Sequence, residues 1–96
     1  MSTLKFRKKP MVIEAFQMTA ERRTDNSEWP EWLNAAWQKE FNEVGAFFPL
    51  SVALILNTLE GGLTVGVNDW IIRGVKDELY ACKSDIFEAT YEAVID

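Results

Sequence analysis

Carboxylates are the side chains of this sequence best suited to acid–base chemistry, because the chain contains no histidine. Six of them are concentrated towards the C-terminus: Asp69, Asp77, Glu78, Asp85, Glu88 and Glu92. Two carboxylates in a cleft can act as general acid and general base. Turn formation explains the first two aspartates, however, helix capping explains Asp85, and solvent-facing helix positions explain the last two glutamates. The spacing therefore predicts that the protein is not an enzyme.

Other catalytic and metal-binding patterns are also weak. Without histidine the chain lacks the commonest transition-metal ligand, and the alternating oxygen ligands of a calcium loop are missing. Cys82 is the single cysteine, and Lys83 is the sole cation beside it in sequence, so we interpret Cys82 as a structural thiol. Gly61 and Gly62 belong to a turn, since neither a Lys-Ser/Thr pair nor a helix follows them. The sequence predicts no metal site and no cofactor.

Aromatic and cationic side chains form the remaining candidate site. Trp70 and Tyr80 are predicted on adjacent strands, with three cations near the strand ends. Such a set could stack a ring and neutralise a phosphate, although cross-strand aromatic pairs also simply stabilise sheets, and both interpretations stay open. With two cations from the N-terminal arm, the candidate ligand-binding residues are Arg7, Lys8, Trp70, Arg73, Lys76, Tyr80 and Lys83.

Charge is unevenly distributed along the chain. The net charge of −5 makes nucleic-acid binding improbable as a default, because phosphate recognition needs a concentrated positive field. The N-terminal arm nevertheless carries four cations in five positions: Lys5, Arg7, Lys8 and Lys9. Residues 60–96 carry eight acids against three cations. This asymmetry could bind an anion or pair with an acidic surface of a second copy; a solvated basic arm is the alternative.

Length and composition indicate one domain. A chain of 96 residues with 48% apolar and 26% charged residues can build a single core. Its 12% aromatic content supplies more apolar area than so small a core needs, so we expect a homo-oligomer. No stretch approaches the ~20 apolar residues of a membrane span, and no long apolar signal segment follows the basic arm. We expect a soluble intracellular protein.

Hydrophobic periodicity predicts an α+β fold with a small antiparallel sheet, one amphipathic helix and a short C-terminal helical turn. A basic arm over 1–10 opens an extended segment that runs to residue 18, and a polar loop follows. The helix is expected near 28–40, where Trp29, Trp32 and Trp37 form an aromatic stripe that suits the core, a partner or oligomer interface, or a ligand surface.

The rest of the chain reads as a connector and two hairpins. Gly45 and Pro49 predict an irregular connector over 41–50. A hairpin over 51–66 should have a first strand that is central or covered on both sides, because both of that strand's faces are apolar. A second hairpin follows between 70 and 82, and Ser84 or Asp85 should cap the last helical turn, with Glu88 completing a capping box.

Two segments resemble a widespread family of small phage and prophage proteins. They are FRKKPMVIEAFQM at 6–18 and LEGGLTVGVNDWIIRGVKDELYACKSDIFEATYE at 59–92. The family pattern has Tyr-Arg-Lys-Lys-Pro-Val and Glu-Ala-Phe-Gln, then Gly-Asp-Trp, Gly-Val-Lys-Gly-Glu, Tyr-Pro-Cys-Lys-Pro-Asp and Phe-Glu-x-Thr-Tyr-Glu. Asn68 and Asp77 stand where that pattern has glycine, and the variable part covers 19–54.

The resemblance implies a phage protein in the cytoplasm of a bacterial host. Small phage accessory proteins often act by binding, so we expect one that counters antiphage defence by sequestering a nucleotide-derived signalling molecule. The alternative is a protein-interaction module that inhibits a host enzyme or supports phage assembly, with the tryptophan stripe meeting the partner.

Overall fold

Two three-stranded antiparallel sheets and two helices make up the fold in the computed structural model, which describes residues 3–7 and 9–95. The elements in chain order are β1 (Glu14–Gln17), α1 (Glu31–Gln38), β2 (Phe47–Leu50), β3 (Ala53–Thr58), β4 (Gly61–Val65), β5 (Trp70–Arg73), β6 (Leu79–Cys82) and α2 (Ser84–Thr90). The first sheet has the order β1-β5-β6 and the second β2-β3-β4. The predicted α+β class is confirmed, with the strands divided between two sheets.

The amphipathic helix α1 lies where the aromatic stripe predicts it, but it is shorter than the predicted 28–40. Pro30 is extended, with φ −64° and ψ 155°, so the helix begins at Glu31. Lys39 is extended again and ends it. Leu33 and Ala36, one turn apart, are buried against the core, which is the spacing that an amphipathic helix requires.

Both predicted hairpins are present. The central position of β3 in the second sheet is confirmed, with Leu54 and Leu56 buried. In the first sheet, β5 and β6 pair through a turn in which Asp77 has a positive φ of 64°. Asn68, before β5, has a φ of 70°. Positions 68 and 77, where the similar family has glycine, thus both have a left-handed backbone. Asn and Asp tolerate this conformation better than most residues.

Two local predictions are wrong. Residues 47–50 are a strand, because β2 lies at the sheet edge, where the missing N–H of Pro49 can be tolerated. The capping box at α2 does not form: the N-cap residue is Lys83, without a side-chain cap. The Asp85 carboxylate instead accepts the N–H of Ile86, at 2.9 Å.

The polar loop between β1 and α1 is fastened to both sheets by two arginines. Arg22 donates to the carbonyl of Gln17 in the first sheet at 2.9 Å. Arg23 donates to the carbonyls of Val52, in the β2–β3 turn, and of Val65, at the end of β4, at 3.0 Å each. The loop therefore bridges the sheets as a defined part of the fold.

The core fills the space between the two sheets and α1. Its buried members are Met18, Trp29, Leu33, Ala36, Phe47, Leu54, Leu56, Val65 and Ile71. Leu79 and Ala81 of β6 pack against this cluster. On the other face of the same hairpin, Trp70 stacks on Phe87 of α2, with ring centroids 4.1 Å apart. The β5–β6 hairpin is thus covered on both faces.

Leu56→Ala should lower the free energy of unfolding by about 2–5 kcal/mol, because it removes a fully buried side chain and leaves a cavity. The measurement is a urea titration followed by circular dichroism. Leu59→Ala is the matched control: Leu59 is 85% exposed, and its loss should change stability by less than about 0.5 kcal/mol. Equal losses for the two variants would contradict the placement of the core.

Candidate functional site

A cleft of about 670 Å³ opens between α1, the β3–β4 turn and the β5–β6 turn. We call it the helix cleft. Its apolar lining includes Trp32, Ala35, Ala36, Val44, Leu59, Leu63 and Leu79. Its charged rim consists of Lys39, Glu60, Arg73, Lys76, Asp77 and Glu78. An apolar floor with a few polar groups at the edge, in this range of volume, is typical of sites for small molecules.

The helix cleft brings together three residues of the predicted ligand-binding set. Arg73, Lys76 and Tyr80 border it, and Trp32 from the tryptophan stripe joins them. Trp70 and Lys83 do not line it. Trp70 lies on the α2 side of the first sheet, where it stacks on Phe87. The five C-terminal candidates therefore do not form one site.

Arg73 is the most constrained cation of the rim. Its guanidinium forms ion pairs with Glu14 at 3.0 Å and with Asp77 at 2.7 Å. Two carboxylates thus already hold it, and a bound anion has to compete with them. Lys39 and Lys76 form no ion pair within the described residues, although Lys39 Nζ lies 3.3 Å from the carbonyl oxygen of Val44. The two lysines are the rim cations open to a ligand.

A row of aromatic rings covers the other face of the first sheet. Trp70 stacks on Phe87 with an interplanar angle of 8°, and Phe87 stacks on Tyr91 at 4.9 Å. The hydroxyls of Tyr91 and Tyr80 share a hydrogen bond of 3.4 Å. Burial raises the pKa of Tyr80 to about 12, and the hydrogen bond and the charge of neighbouring acids act in the same direction. Tyr80 also borders the helix cleft, so this residue contacts both the cleft and the aromatic row.

Lys83 is engaged in a structural contact. Asp69 is 6% exposed, and one of its carboxylate oxygens accepts both the Gly66 N–H at 2.8 Å and the Lys83 ammonium at 3.1 Å. The carboxylate closes the turn between β4 and β5, and Lys83 at the end of β6 fixes that turn to the hairpin. We therefore assign this pair to the architecture rather than to a ligand site.

The remaining predicted residues lie apart from the helix cleft. Arg7 is exposed in the N-terminal arm, and Lys8 lies outside the described residues. Trp29 is buried at 9% exposure and donates its indole N–H to the Arg22 carbonyl at 2.7 Å, so the predicted interface role does not fit it. Trp37 is 36% exposed and packs edge-on against Trp29 at 5.4 Å. Of the tryptophan stripe, only Trp32 lines the cleft.

Lys39 is the cleft residue that sequence reasoning missed. It lies at the end of α1, distant in sequence from the cations of the C-terminal hairpin. No local pattern marks it, because three elements that are not adjacent in sequence have to pack before it approaches Lys76 across the cleft. The one available signal was its place on the tryptophan-bearing helix.

The surroundings of Cys82 disfavour the charged form of its thiol. Burial raises the pKa of the Cys82 thiol, and the charges of Asp69 and Asp85 raise it further, so the reactive thiolate is disfavoured. In the part of the chain that the structure describes, no three His, Cys, Asp or Glu residues are grouped so as to hold a metal ion.

Comparisons with protein families, with curated proteins and with solved structures find no match to this chain. Among residues 3–7 and 9–95, no helix has the length and apolar character needed to cross a membrane. Functional conclusions therefore rest on the geometry of the site.

Asp69→Ala should lower the free energy of unfolding by about 1–3 kcal/mol, because the half-buried Gly66 N–H loses its acceptor. Thermal unfolding followed by circular dichroism measures the loss. Glu88→Ala, which removes an exposed carboxylate, is the control and should stay within about 0.5 kcal/mol of the unchanged protein. A similar loss in both variants would show that the Asp69 contacts do not fix the turn.

Stability should fall as pH rises from 10 to 12 because of Tyr80. Its pKa is about 12 in the folded chain against an ordinary 10.0, so in this window the folded state keeps a proton that the unfolded state releases. Tyr80→Phe should fall less steeply across the same window. Urea titrations at several pH values compare the slopes, and parallel slopes for the two proteins would contradict the assignment.

Proposed function

We propose that this chain is a non-enzymatic binding protein that takes up a nucleotide-derived molecule in the helix cleft. The observation that carries the proposal is the placement of Trp32 in an apolar cleft whose rim holds Lys39 and Lys76. A ring to stack on and free cations at the edge are the two features by which proteins hold a base and a phosphate together.

Trp32 is suited to the ring of the ligand. It is half-buried on α1, so one part of the indole is fixed by packing against the core while the rest lines the cleft. Leu59 and Leu63, from the β3–β4 hairpin, also line the cleft and add apolar area for a planar group. A fixed aromatic platform loses little side-chain entropy on binding, which favours affinity.

The charges at the rim of the helix cleft favour a ligand with little negative charge. The rim holds three cations and three acids, and Arg73 is already paired with Glu14 and Asp77. Only Lys39 and Lys76 are left to neutralise a phosphate. This balance favours a ligand with one or two negative charges, such as a nucleoside monophosphate or a cyclic nucleotide, over a triphosphate.

Several contacts support a binding role over a catalytic one. Asp77 is engaged with Arg73, and the Glu78 carboxylate accepts the backbone N–H of Lys76 at 2.9 Å. Two of the three rim acids thus already have structural partners. A general base needs a free carboxylate within reach of the substrate, and these two are tied to the turn.

The biological setting of the proposal comes from the resemblance to small phage proteins. In a bacterial host, a binding protein of this kind would lower the free concentration of a nucleotide-derived defence signal and so protect the phage. Sequestration needs affinity and abundance but no turnover, which agrees with the absence of histidine from the chain.

A protein-interaction module is the second candidate, because apolar side chains are exposed at the end of α1. Trp37, Phe41 and Val44 are 36%, 68% and 52% exposed. Such a cluster could contact a host enzyme or a phage assembly protein. The nucleotide proposal is preferred because the helix cleft offers a concave site with both ring-binding and charge-binding groups.

Trp32→Ala should weaken nucleotide binding by about 5- to 150-fold, since one base–aromatic stack contributes roughly 1–3 kcal/mol. Isothermal titration calorimetry with adenosine monophosphate, a cyclic dinucleotide, ADP-ribose and ATP measures the affinities, and circular dichroism verifies the fold. Phe41→Ala is the matched aromatic control, because Phe41 does not line the cleft, and it should bind as the unchanged protein does.

The same titrations test the charge part of the site. Lys39→Glu and Lys76→Glu should each weaken binding, whereas Lys5→Glu, outside the cleft lining, should not. If every nucleotide of the panel fails to bind, and native mass spectrometry of protein from phage-challenged cells finds no retained ligand, the proposed function is wrong. Binding that is unaffected in a folded Trp32→Ala variant would move the site elsewhere.

A further inference from the structure

A second, smaller groove lies on the α2 side of the first sheet. It has a volume of about 340 Å³ and is bounded by the chain segments 11–13 and 91–94. Trp70 and Phe87 line it between these segments, and Glu92 is its one acidic lining residue. We call it the aromatic groove. The Trp70 ring stacks on Phe87, and the groove lies beside this pair.

Trp70 has an unsatisfied hydrogen-bond donor. Its indole Nε1 is buried from solvent and has no acceptor among the described residues. Buried polar groups are almost always paired, and an unpaired one costs free energy comparable to a lost hydrogen bond. The unpaired donor marks Trp70 as a costly residue for packing alone, and the mainly apolar lining beside it suits an apolar side chain of a peptide segment.

The N-terminal arm has the complementary features. Leu4 is 72% exposed and Phe6 is 89% exposed, so neither packs on its own chain. They alternate in sequence with Lys5 and Arg7, and the segment has no helix or turn. In an extended chain such alternation places apolar side chains on one face and cations on the other. The arm is an extended peptide with an uncovered apolar face.

Charge also matches the arm to the surroundings of the groove. Residues 3–9 contain four cations and no acid, whereas residues 84–95 contain three acids and no cation. One of these acids, Glu92, lines the groove itself. Opposite charges around an apolar contact favour association and set its orientation.

We propose that the arm of one copy docks in the aromatic groove of a second copy, with Phe6 as the apolar anchor and the long Arg7 side chain bending back over the edge of the groove to Glu92. The arm meets its own groove only by reversing direction just before residues 11–13, which bound that groove. Pro10 opposes this reversal, because proline has a fixed φ and keeps the preceding residue extended. An extended segment of eight residues spans about 25 Å, which is long enough to cross to a second copy.

Two copies can exchange their arms reciprocally. Each arm–groove contact then occurs twice, which is how short segments reach the roughly 1,200 Å² of a stable interface. The proposed exchange does not depend on the helix cleft or on a nucleotide. Loss of self-association and loss of ligand binding are therefore separate results.

Phe6→Ala should raise the dissociation constant of the dimer by at least about 10-fold, as expected for an aromatic anchor at the centre of an interface. Sedimentation velocity over a concentration series measures it, and the unchanged protein should approach twice the chain mass of 11.0 kDa. Val52→Ala is the matched control: Val52 is 91% exposed but lies outside the groove lining, and its loss should leave the mass unchanged.

Charge reversal gives a second measurement. Arg7→Glu and Glu92→Lys should each weaken the dimer, the double variant should recover most of the loss, and added salt should reduce the differences. Recovery in the double variant identifies the pair directly. Two single losses without recovery would overturn the predicted contact between Arg7 and Glu92.

Isotope-filtered NMR on a mixture of labelled and unlabelled chains distinguishes the second copy from the arm's own chain. Contacts between Phe6 of one chain and Trp70 of the other support arm exchange. A monomer at all concentrations overturns the proposal, and so does a Phe6–Trp70 contact within a single chain. A dimer that persists unchanged in Phe6→Ala overturns it as well.

Discussion

The alternation of side chains along β5 and β6 is the constraint on which the rest of the structure depends. Ile71 and its neighbours on β6 face the core, whereas Trp70 and the fully buried Ile72 belong to the opposite face. A hairpin with two apolar faces needs a cover on each. The second sheet and α1 provide one cover, and the aromatic residues of α2 provide the other. The turn of the hairpin then projects at the edge of the helix cleft, which is why Arg73 and Lys76 lie there.

Local patterns were sufficient to predict most elements but not how those elements group. The period of apolar residues located α1 and both hairpins, and the resembled family's glycines at 68 and 77 match two left-handed positions of the backbone. The division into two sheets depends on contacts between distant segments and has no local signature. For the same reason the proximity of Trp32, Lys39 and Lys76 could not be predicted. The sequence also suggested one site for Trp70 and Arg73, but side chains three positions apart on a strand point to opposite faces of the sheet.

The tryptophans show how one residue type serves different purposes at different depths. Trp29 is enclosed and hydrogen-bonded, so it contributes to stability. Trp32 is half-covered at the floor of the helix cleft, and Trp70 lines the aromatic groove with an unpaired donor. Composition alone indicated an excess of aromatic area. The structure divides that excess between two concave surfaces, the helix cleft and the aromatic groove.

Pro49 also affects how the protein behaves when it is concentrated. Its strand, β2, forms an edge of the second sheet, and two strongly exposed apolar residues, Leu50 and Val52, follow on the same segment. An edge of this composition would otherwise invite open-ended strand addition and aggregation. Proline supplies no N–H to an incoming strand, so growth of the sheet at this edge is interrupted. Pro49, which in the sequence alone argues against a strand, thus protects the folded chain against amyloid-like assembly.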